Sequence, residues 1–292
     1  MNYEAKLTEL TQLKDKMNQY RPLPPTEVKQ LEKNIRIEHV WSSAAIEGNT
    51  FNKYETAAII NSGLGATIHG KTIRETLEII DLNEAYGYMQ ELATEKRPLQ
   101  TIDIRNLNRI ATLETLQSKD EAGKYRQIDV YPYSLEDHPY LAPYDIPQAM
   151  DNLIQWSNQA SETLHPVQYA TDLHQKFVSI HPFRDGNGRT ARLLMNFALT
   201  KNGYPVINVN PSKEARNKYM EALETSRSDK NMSPFRNLIA DYVKSELNRR
   251  TDTLELGEEN EKEAQKDFAK SKLDWDKLFR EYKAQKDGEI DR

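Results

Sequence analysis

Apolar residues recur through this chain at steps of three and four, and they rarely alternate with polar ones, which commits most of it to amphipathic helices. Glycine is scarce as well, at 11 of 292 residues. Residues 3–20 are predicted to form a helix ended by Arg21-Pro22-Leu23-Pro24-Pro25, after which Thr26 caps a second helix reaching Trp41. A third helix should follow Asn49-Thr50 and stop at Asn61-Ser62-Gly63. A long helix is expected over 72–95, with Ile73, Leu77, Ile80 and Ala85 on its buried stripe. Pro166 suits the first turn of a helix that carries Val167, Ala170, Leu173, Phe177 and Ile180 inward. Residues 189–200 form a strongly apolar helix closed by Asn202-Gly203, and 212–250 continue as polar helix. Residues 123–143 differ: Tyr125, Ile128, Val130, Tyr131 and Tyr133, interrupted by prolines, suggest a short hairpin. The expectation is an all-α fold with a small β-hairpin flap.

Charge and composition narrow the function. With 40 basic and 45 acidic residues the net charge is -5, which argues against nucleic acid as a partner. No cysteine is present, so there is no disulfide, thiol nucleophile or cysteine metal site. No apolar run approaches the roughly 20 residues of a membrane helix, so a membrane partner is not expected. Met1 to Leu13 carry scattered charge and no apolar stretch of the kind that secretory leaders have, which points to the cytoplasm.

The segment that concentrates chemistry is His181-Pro182-Phe183-Arg184-Asp185-Gly186-Asn187-Gly188-Arg189-Thr190-Ala191-Arg192. It is a loop feeding a helix. Gly186 and Gly188 permit positive φ, so successive N–H groups can turn into one concavity, and the helix beginning near Arg189 aims its positive dipole end there. Arg189 and Arg192, three apart, share a face and can reach one polyphosphate. Asp185 offers a hard oxygen for Mg²⁺. His181 is the group able to accept a proton near neutral pH. These are the parts of a phosphoryl- or nucleotidyl-transfer site.

The same residues resemble the Fic (filamentation induced by cAMP) motif, His-Pro-Phe-x-Asp/Glu-Gly-Asn-Gly-Arg-x-x-Arg, at every specified position. The resemblance implies AMP transfer from ATP to a protein hydroxyl, with His181 as general base and Asp185 holding Mg²⁺ between the α- and β-phosphates. It implies that Gly186, Asn187 and Gly188 line an anion hole, that Arg189 and Arg192 hold the outer phosphates, and that Phe183 anchors the loop. Kinases of the Doc-like branch replace the glycine pair, and this chain keeps it. Gly123-Lys124-Tyr125-Arg126 followed by Ile128, Asp129, Val130 and Tyr131 is similar to the family's flap, which docks the target by β-augmentation. Gly203-Tyr204-Pro205 and Tyr219-Met220-Glu221-Ala222-Leu223 resemble the stretch closing over adenine, which makes Tyr219 a candidate nucleotide contact.

Ser43-Ala44-Ala45-Ile46-Glu47-Gly48-Asn49 resembles the family's inhibitory motif, placed upstream in the same chain. Ser43 and Glu47 are i and i+4 on one helical face, and Glu47 is expected to form a bidentate pair with Arg192. Such a pair denies Arg192 to the γ-phosphate. In some relatives the same glutamate aligns a water that removes AMP, so de-AMPylation is the alternative enzyme activity. An ATP-sensing interaction protein is the rival of another class.

A competing motif, Gly65-Ala66-Thr67-Ile68-His69-Gly70-Lys71-Thr72, fits the P-loop pattern but has no buried strand before it, so it reads as a loop between helices. His174 reads as a core histidine. The expected organisation is a helical region over 1–110 carrying the inhibitory motif at 42–49, a catalytic core over 111–250, and a charged helical tail over 251–292. Expected partners are a hydroxyl-bearing protein, the chain itself included, and a second copy in a homo-oligomer.

Overall fold

The computed structural model describes residues 2–20, 25–66, 68–132 and 139–290, without the side chains of 25–27, 261, 269–274, 276, 277 and 280–290. Among the described residues there are ten α-helices and no β-strand. They are α1 (Tyr3–Asn18), α2 (Pro25–Ile46), α3 (Lys53–Ser62), α4 (Ile73–Thr94), α5 (Thr101–Thr112), α6 (Ile146–Thr163), α7 (Pro166–Ile180), α8 (Asn187–Lys201), α9 (Lys213–Ser228) and α10 (Ser233–Ile290).

Helix α8 is the centre. Leu193, Leu194, Met195, Phe197, Ala198 and Leu199 are all buried, because α7 packs along one side while α4 and α5 cover others. Each such large side chain contributes about 1.5–3 kcal/mol when taken out of water. Helix α2 lies against α4 and reaches α8, so the inhibitory motif is carried to the core by ordinary helix packing. Helices α9 and α10 close over α7, and α1 runs along α10, tied by Lys6–Asp241, Lys244–Glu9 and Lys16–Glu255 ion pairs.

Three expectations shift. The buried stripe of α4 is Ile79, Leu82, Ala85, Tyr86, Met89 and Leu92, whereas Ile73 is 78% exposed. Ile73 opens the helix directly after the Thr72–Glu75 capping box, and that first turn projects beyond the elements packed on α4. Helix α2 starts at Pro25, which places Thr26 within its first turn, its side chain outside the described ones. The flap is extended backbone without named strands. Its hairpin-like link is Tyr140 N–H to the Val130 carbonyl at 3.0 Å, and Tyr125 makes a single bridge to Phe183. Carbonyls that a ladder would use are taken by the buried Arg126 guanidinium, which donates to those of Ile128 and Leu141. Arg21 to Pro24, Thr67, Tyr133 and His138 lie outside the described residues. Helix α10 passes residues 250 and 251 without a break, with Phe268, Trp275, Leu278 and Phe279 exposed on its outer half. No helix of the described residues is long and apolar enough to cross a membrane.

Two fully buried histidines make stability pH-dependent. Burial lowers His39 to about 4 and His174 to about 3, so the fold keeps both rings neutral. In the unfolded chain a histidine takes up its proton near 6.5. Below that pH the unfolded state binds more protons, so stability is full above about 6.5 and is lost as pH falls toward 4. The loss is up to about 1.4 kcal/mol per pH unit for each ring. We predict a urea midpoint that is level above pH 7, declines between pH 6.5 and 4, and declines less steeply in His174→Gln. A flat profile in the wild type would show that the rings carry protons in the fold.

Candidate active site

The loop begins where α7 ends. His181 stands in the left-handed region, φ 53 and ψ 57, as the C-cap of α7, with its N–H on the Phe177 carbonyl at 3.1 Å. That conformation is costly for a side-chain-bearing residue and persists only where its surroundings impose it. They do. Arg126 donates through Nε to the His181 carbonyl at 2.8 Å, and its own N–H goes to the Pro182 carbonyl at 2.9 Å. Nδ1 of His181 lies 3.3 Å from the Val178 carbonyl, which assigns the proton to Nδ1 and leaves Nε2 as the acceptor. The imidazole stacks on Tyr140 with centroids 3.9 Å apart. Burial lowers its pKa to about 4, despite the pull of the Val178 carbonyl the other way, so the ring is a neutral base at physiological pH.

Across the loop, Asn187 exchanges two hydrogen bonds with Phe183: Nδ2 to the carbonyl at 2.8 Å, and Oδ1 from the N–H at 3.0 Å. The Asn187 side chain therefore closes the loop. Phe183 is buried against Phe177 and Tyr125, which anchors the turn. Asn108 of α5 clamps the other side, donating to the Asp185 carbonyl at 2.9 Å and accepting from Gly123 N–H at 3.2 Å. Of the glycine pair, only Gly186 has positive φ, at 76. Gly188 is the second residue of α8; its need is space, since a Cβ there would lie 2.3 Å from Glu47 Oε1. The first hydrogen bond of α8 is Thr190 N–H to Gly186, at 2.8 Å. The N–H groups of Asn187, Gly188 and Arg189 precede it, at the end of the helix where the dipole is positive.

Asp185 is half-buried. Its Oδ1 accepts from Gly186 N–H at 2.5 Å and from Arg189 at 3.1 Å, and Arg74 of α4 stands 3.8 Å from Oδ2. Among the described residues no group of three or more His, Asp or Glu side chains gathers as a metal site. Mg²⁺ that shares a polyphosphate needs only one or two protein carboxylates, which this donor set fits. Arg189 donates to the Ala111 carbonyl at 3.1 Å, while its buried Nε has no acceptor, an orphan donor that a phosphate oxygen would satisfy.

Arg192 is where the distant parts meet. Buried, it donates through Nε to Ser43 Oγ at 2.8 Å, and through Nη2 to the Ser43 carbonyl at 2.9 Å and Glu47 Oε1 at 2.6 Å. The pair with Glu47 thus uses one carboxylate oxygen, not two, because Ser43 occupies the other edge of the guanidinium. Burial alone would raise the Glu47 pKa, but the adjacent Arg192 outweighs it and holds the carboxyl below its usual range. Glu47 lies one residue beyond α2, in a turn set by Gly48 at φ 102 and held by Asn49 Nδ2 on Glu78 at 2.9 Å. Tyr219 is buried behind Arg192, bonded to the guanidinium and to His174 Nε2 at 2.7 Å. It supports the arginine from the core side and offers no open face to a nucleotide.

The flap residues Ile128, Asp129 and Tyr131 are exposed, and Val130 is half-buried with its carbonyl on Tyr140. Arg126, Asn108, Tyr140, Glu78 and Tyr219's link to His174 are roles that sequence reasoning did not assign; each depends on contacts between residues far apart in the chain. The P-loop-like segment does something else. Lys71 donates to the Thr50 carbonyl at 2.5 Å, and Thr72 caps α4, so these residues hold the turn that carries Glu47.

Fold and site together define an all-helical protein in which a loop between two core helices sets a helix N-terminus beside a neutral histidine. Residues 98–199 match the Fic/DOC family, and the chain is a Fic-domain protein. It is 35% identical over 224 residues to the protein adenylyltransferase Fic of Aedes aegypti, a match that covers 75% of this chain and 42% of that protein. The chain thus spans under half the length of this curated relative. Among solved structures it is similar to Fic-1 (residues 134–508) of C. elegans, at 28% identity and a TM-score of 0.78, covering 87% of this chain and 73% of that one. It is also similar to a Fic domain containing signaling protein of Bacteroides thetaiotaomicron, at 28% identity and TM-score 0.74, covering 84% and 97%.

Gly186→Ala tests the loop. A Cβ there would lie 2.4 Å from Thr112 Cγ2, in a backbone region that alanine avoids. We predict a loss of about 1–3 kcal/mol in chemical denaturation. Unchanged stability would mean that the loop turns differently.

Proposed function

We propose that this chain is a protein adenylyltransferase, moving AMP from ATP to a Ser, Thr or Tyr hydroxyl of a protein, itself included, and that Glu47 restrains it. The observation that carries this reading is the position of Glu47. Its Oε1 sits on Arg192 and against Gly188, over the first turn of α8, where the outer phosphates of a nucleotide would meet the exposed N–H groups. The name of the Aedes aegypti relative supports the same reading.

In the reaction, the target hydroxyl gives its proton to Nε2 of His181 as its oxygen attacks the α-phosphorus. The bond from that phosphorus to the bridging oxygen breaks, and pyrophosphate leaves with the electron pair. The product is a phosphodiester between AMP and the protein. The N–H groups of Asn187, Gly188 and Arg189 face the phosphate oxygens, and Arg189 and Arg192 supply fixed positive charge. Asp185 would hold Mg²⁺, which offsets the charge that builds on the phosphates. The backbone of Ile128 to Tyr131 would dock an extended target segment. With Glu47 on Arg192, the γ-phosphate loses its cation and ATP binds unproductively.

A second reading uses the same carboxylate. Glu47, about one-third exposed beside the helix end, can orient a water toward a modified side chain, giving de-AMPylation. A silent ATP sensor is disfavoured because it needs no neutral base at His181.

ATP labelled at the α- or γ-phosphate separates the readings. Freeing Arg192 removes a charge-assisted hydrogen bond of about 1.5–3 kcal/mol, so Glu47→Gly should raise α-label transfer roughly tenfold or more, and His181→Ala should abolish it. Transfer of γ-label would mean a kinase. Equal transfer by wild type and Glu47→Gly would remove the brake from the proposal. Label released from a pre-modified protein, and never attached, would favour de-AMPylation.

A further inference from the structure

The flap does more than border the loop, because one of its residues covers the base. Tyr140 lies on its returning limb, with its N–H on the Val130 carbonyl at 3.0 Å. The Tyr140 ring stacks on the His181 imidazole, centroids 3.9 Å apart and planes 17° apart, and Arg227 of α9 sits 5.3 Å from the same tyrosine centroid. Beneath this stack, the buried Arg126 guanidinium donates to the carbonyls of Ile128, Leu141 and His181. One cation thereby joins the outgoing limb of the flap, the returning limb, and the backbone of the base.

The base needs such support. His181 has a left-handed backbone, and its ring is fixed within its own helix only by the long 3.3 Å contact of Nδ1 with the Val178 carbonyl. A hydrogen bond of that length leaves the ring free to swing about χ2. A flat aromatic surface at 3.9 Å does not, since any rotation of the imidazole drives its edge into the tyrosine. The phenol is not needed as an anion: burial raises its pKa, and Arg227 offsets this only in part.

We propose that Tyr140 is a positioning residue for His181. Its ring holds the imidazole plane in register with the α8 N-terminus, and its backbone bond to Val130 makes the flap and the base one unit. A protein segment that docks on residues 128–131 then reaches the imidazole through Tyr140 and the backbone of the base through Arg126. The inference rests on the adenylyltransferase reading for its kinetic consequence, but not for its geometry.

The test uses the full chain with Glu47→Gly as parent, adding Tyr140→Phe or Tyr140→Leu. Two quantities are read: kcat and KM for ATP in AMP transfer, and the rate at which diethyl pyrocarbonate carbethoxylates His181, mapped by peptide mass. Misplacing a reacting group by about 1 Å costs on the order of 100-fold, so Tyr140→Leu should lower kcat by about tenfold or more. KM for ATP should stay within about twofold, because no nucleotide-facing group is changed. Carbethoxylation of His181 should quicken in Tyr140→Leu, and Tyr140→Phe should restore both quantities. Melting curves set a temperature at which every variant is folded, and labelling is read there. Unchanged kcat and labelling in Tyr140→Leu would overturn the proposal. So would a Tyr140→Phe variant as impaired as Tyr140→Leu, since the hydroxyl and not the ring would then matter. If the parent transfers no AMP, the adenylyltransferase reading fails, and the labelling of His181 alone decides the role of Tyr140.

Discussion

A guanidinium cannot shed its proton inside a protein, so an arginine buried at the centre of a helical core has to be surrounded by acceptors. Arg192 is that arginine, with 2% of its surface exposed. Helix α2 supplies Ser43, the turn that follows it supplies Glu47, and α9 supplies Tyr219, which leans in turn on His174 of α7. Four helices are thus tied to one charge. The consequence is that satisfying the cation and blocking it are the same act: whatever frees Arg192 for a phosphate must also leave it with another anion. A polyphosphate is suited to that exchange, because it offers several charged oxygens where Glu47 offers one close contact.

Polar side chains, not regular strands, build the loop that faces Arg192. Asn187 pairs with the backbone of Phe183, Asn108 grips the Asp185 carbonyl, and Arg126 collects carbonyls from the flap and from His181. All three are buried, where an unpaired polar group is costly, so each fixes its neighbours firmly. The loop can then keep His181 in a conformation that the residue would not choose alone. The turn carrying Glu47 is secured nearer the surface by Asn49, Thr50, Lys71 and Glu75. Four hydrogen bonds from Thr50 and Thr72 lower Glu75 to about 2, which keeps it charged at any working pH.

The sequence by itself determined the helical class, most helix ends and which titratable and charged groups stand together in the loop. Those properties are local: apolar spacing sets a helix, and a loop of His181, Asp185, Gly186 and Arg192 displays its donors and acceptors in one short run. It also announced Ser43 and Glu47, since i and i+4 place them on one face wherever the helix lies. Tertiary structure decided the rest. The buried stripe of α4 depends on which neighbours reach its first turn, and Ile73 was left outside. Gly188 is a glycine because Glu47, 141 positions earlier, approaches it. Tyr219 faces Arg192 and His174 because α9 folds over α7. Arg126 is buried among carbonyls only once the flap meets the loop. A sequence carries the chemistry of each group, but burial and distance arise between segments, and they decide whether a charge is open to a ligand or already held.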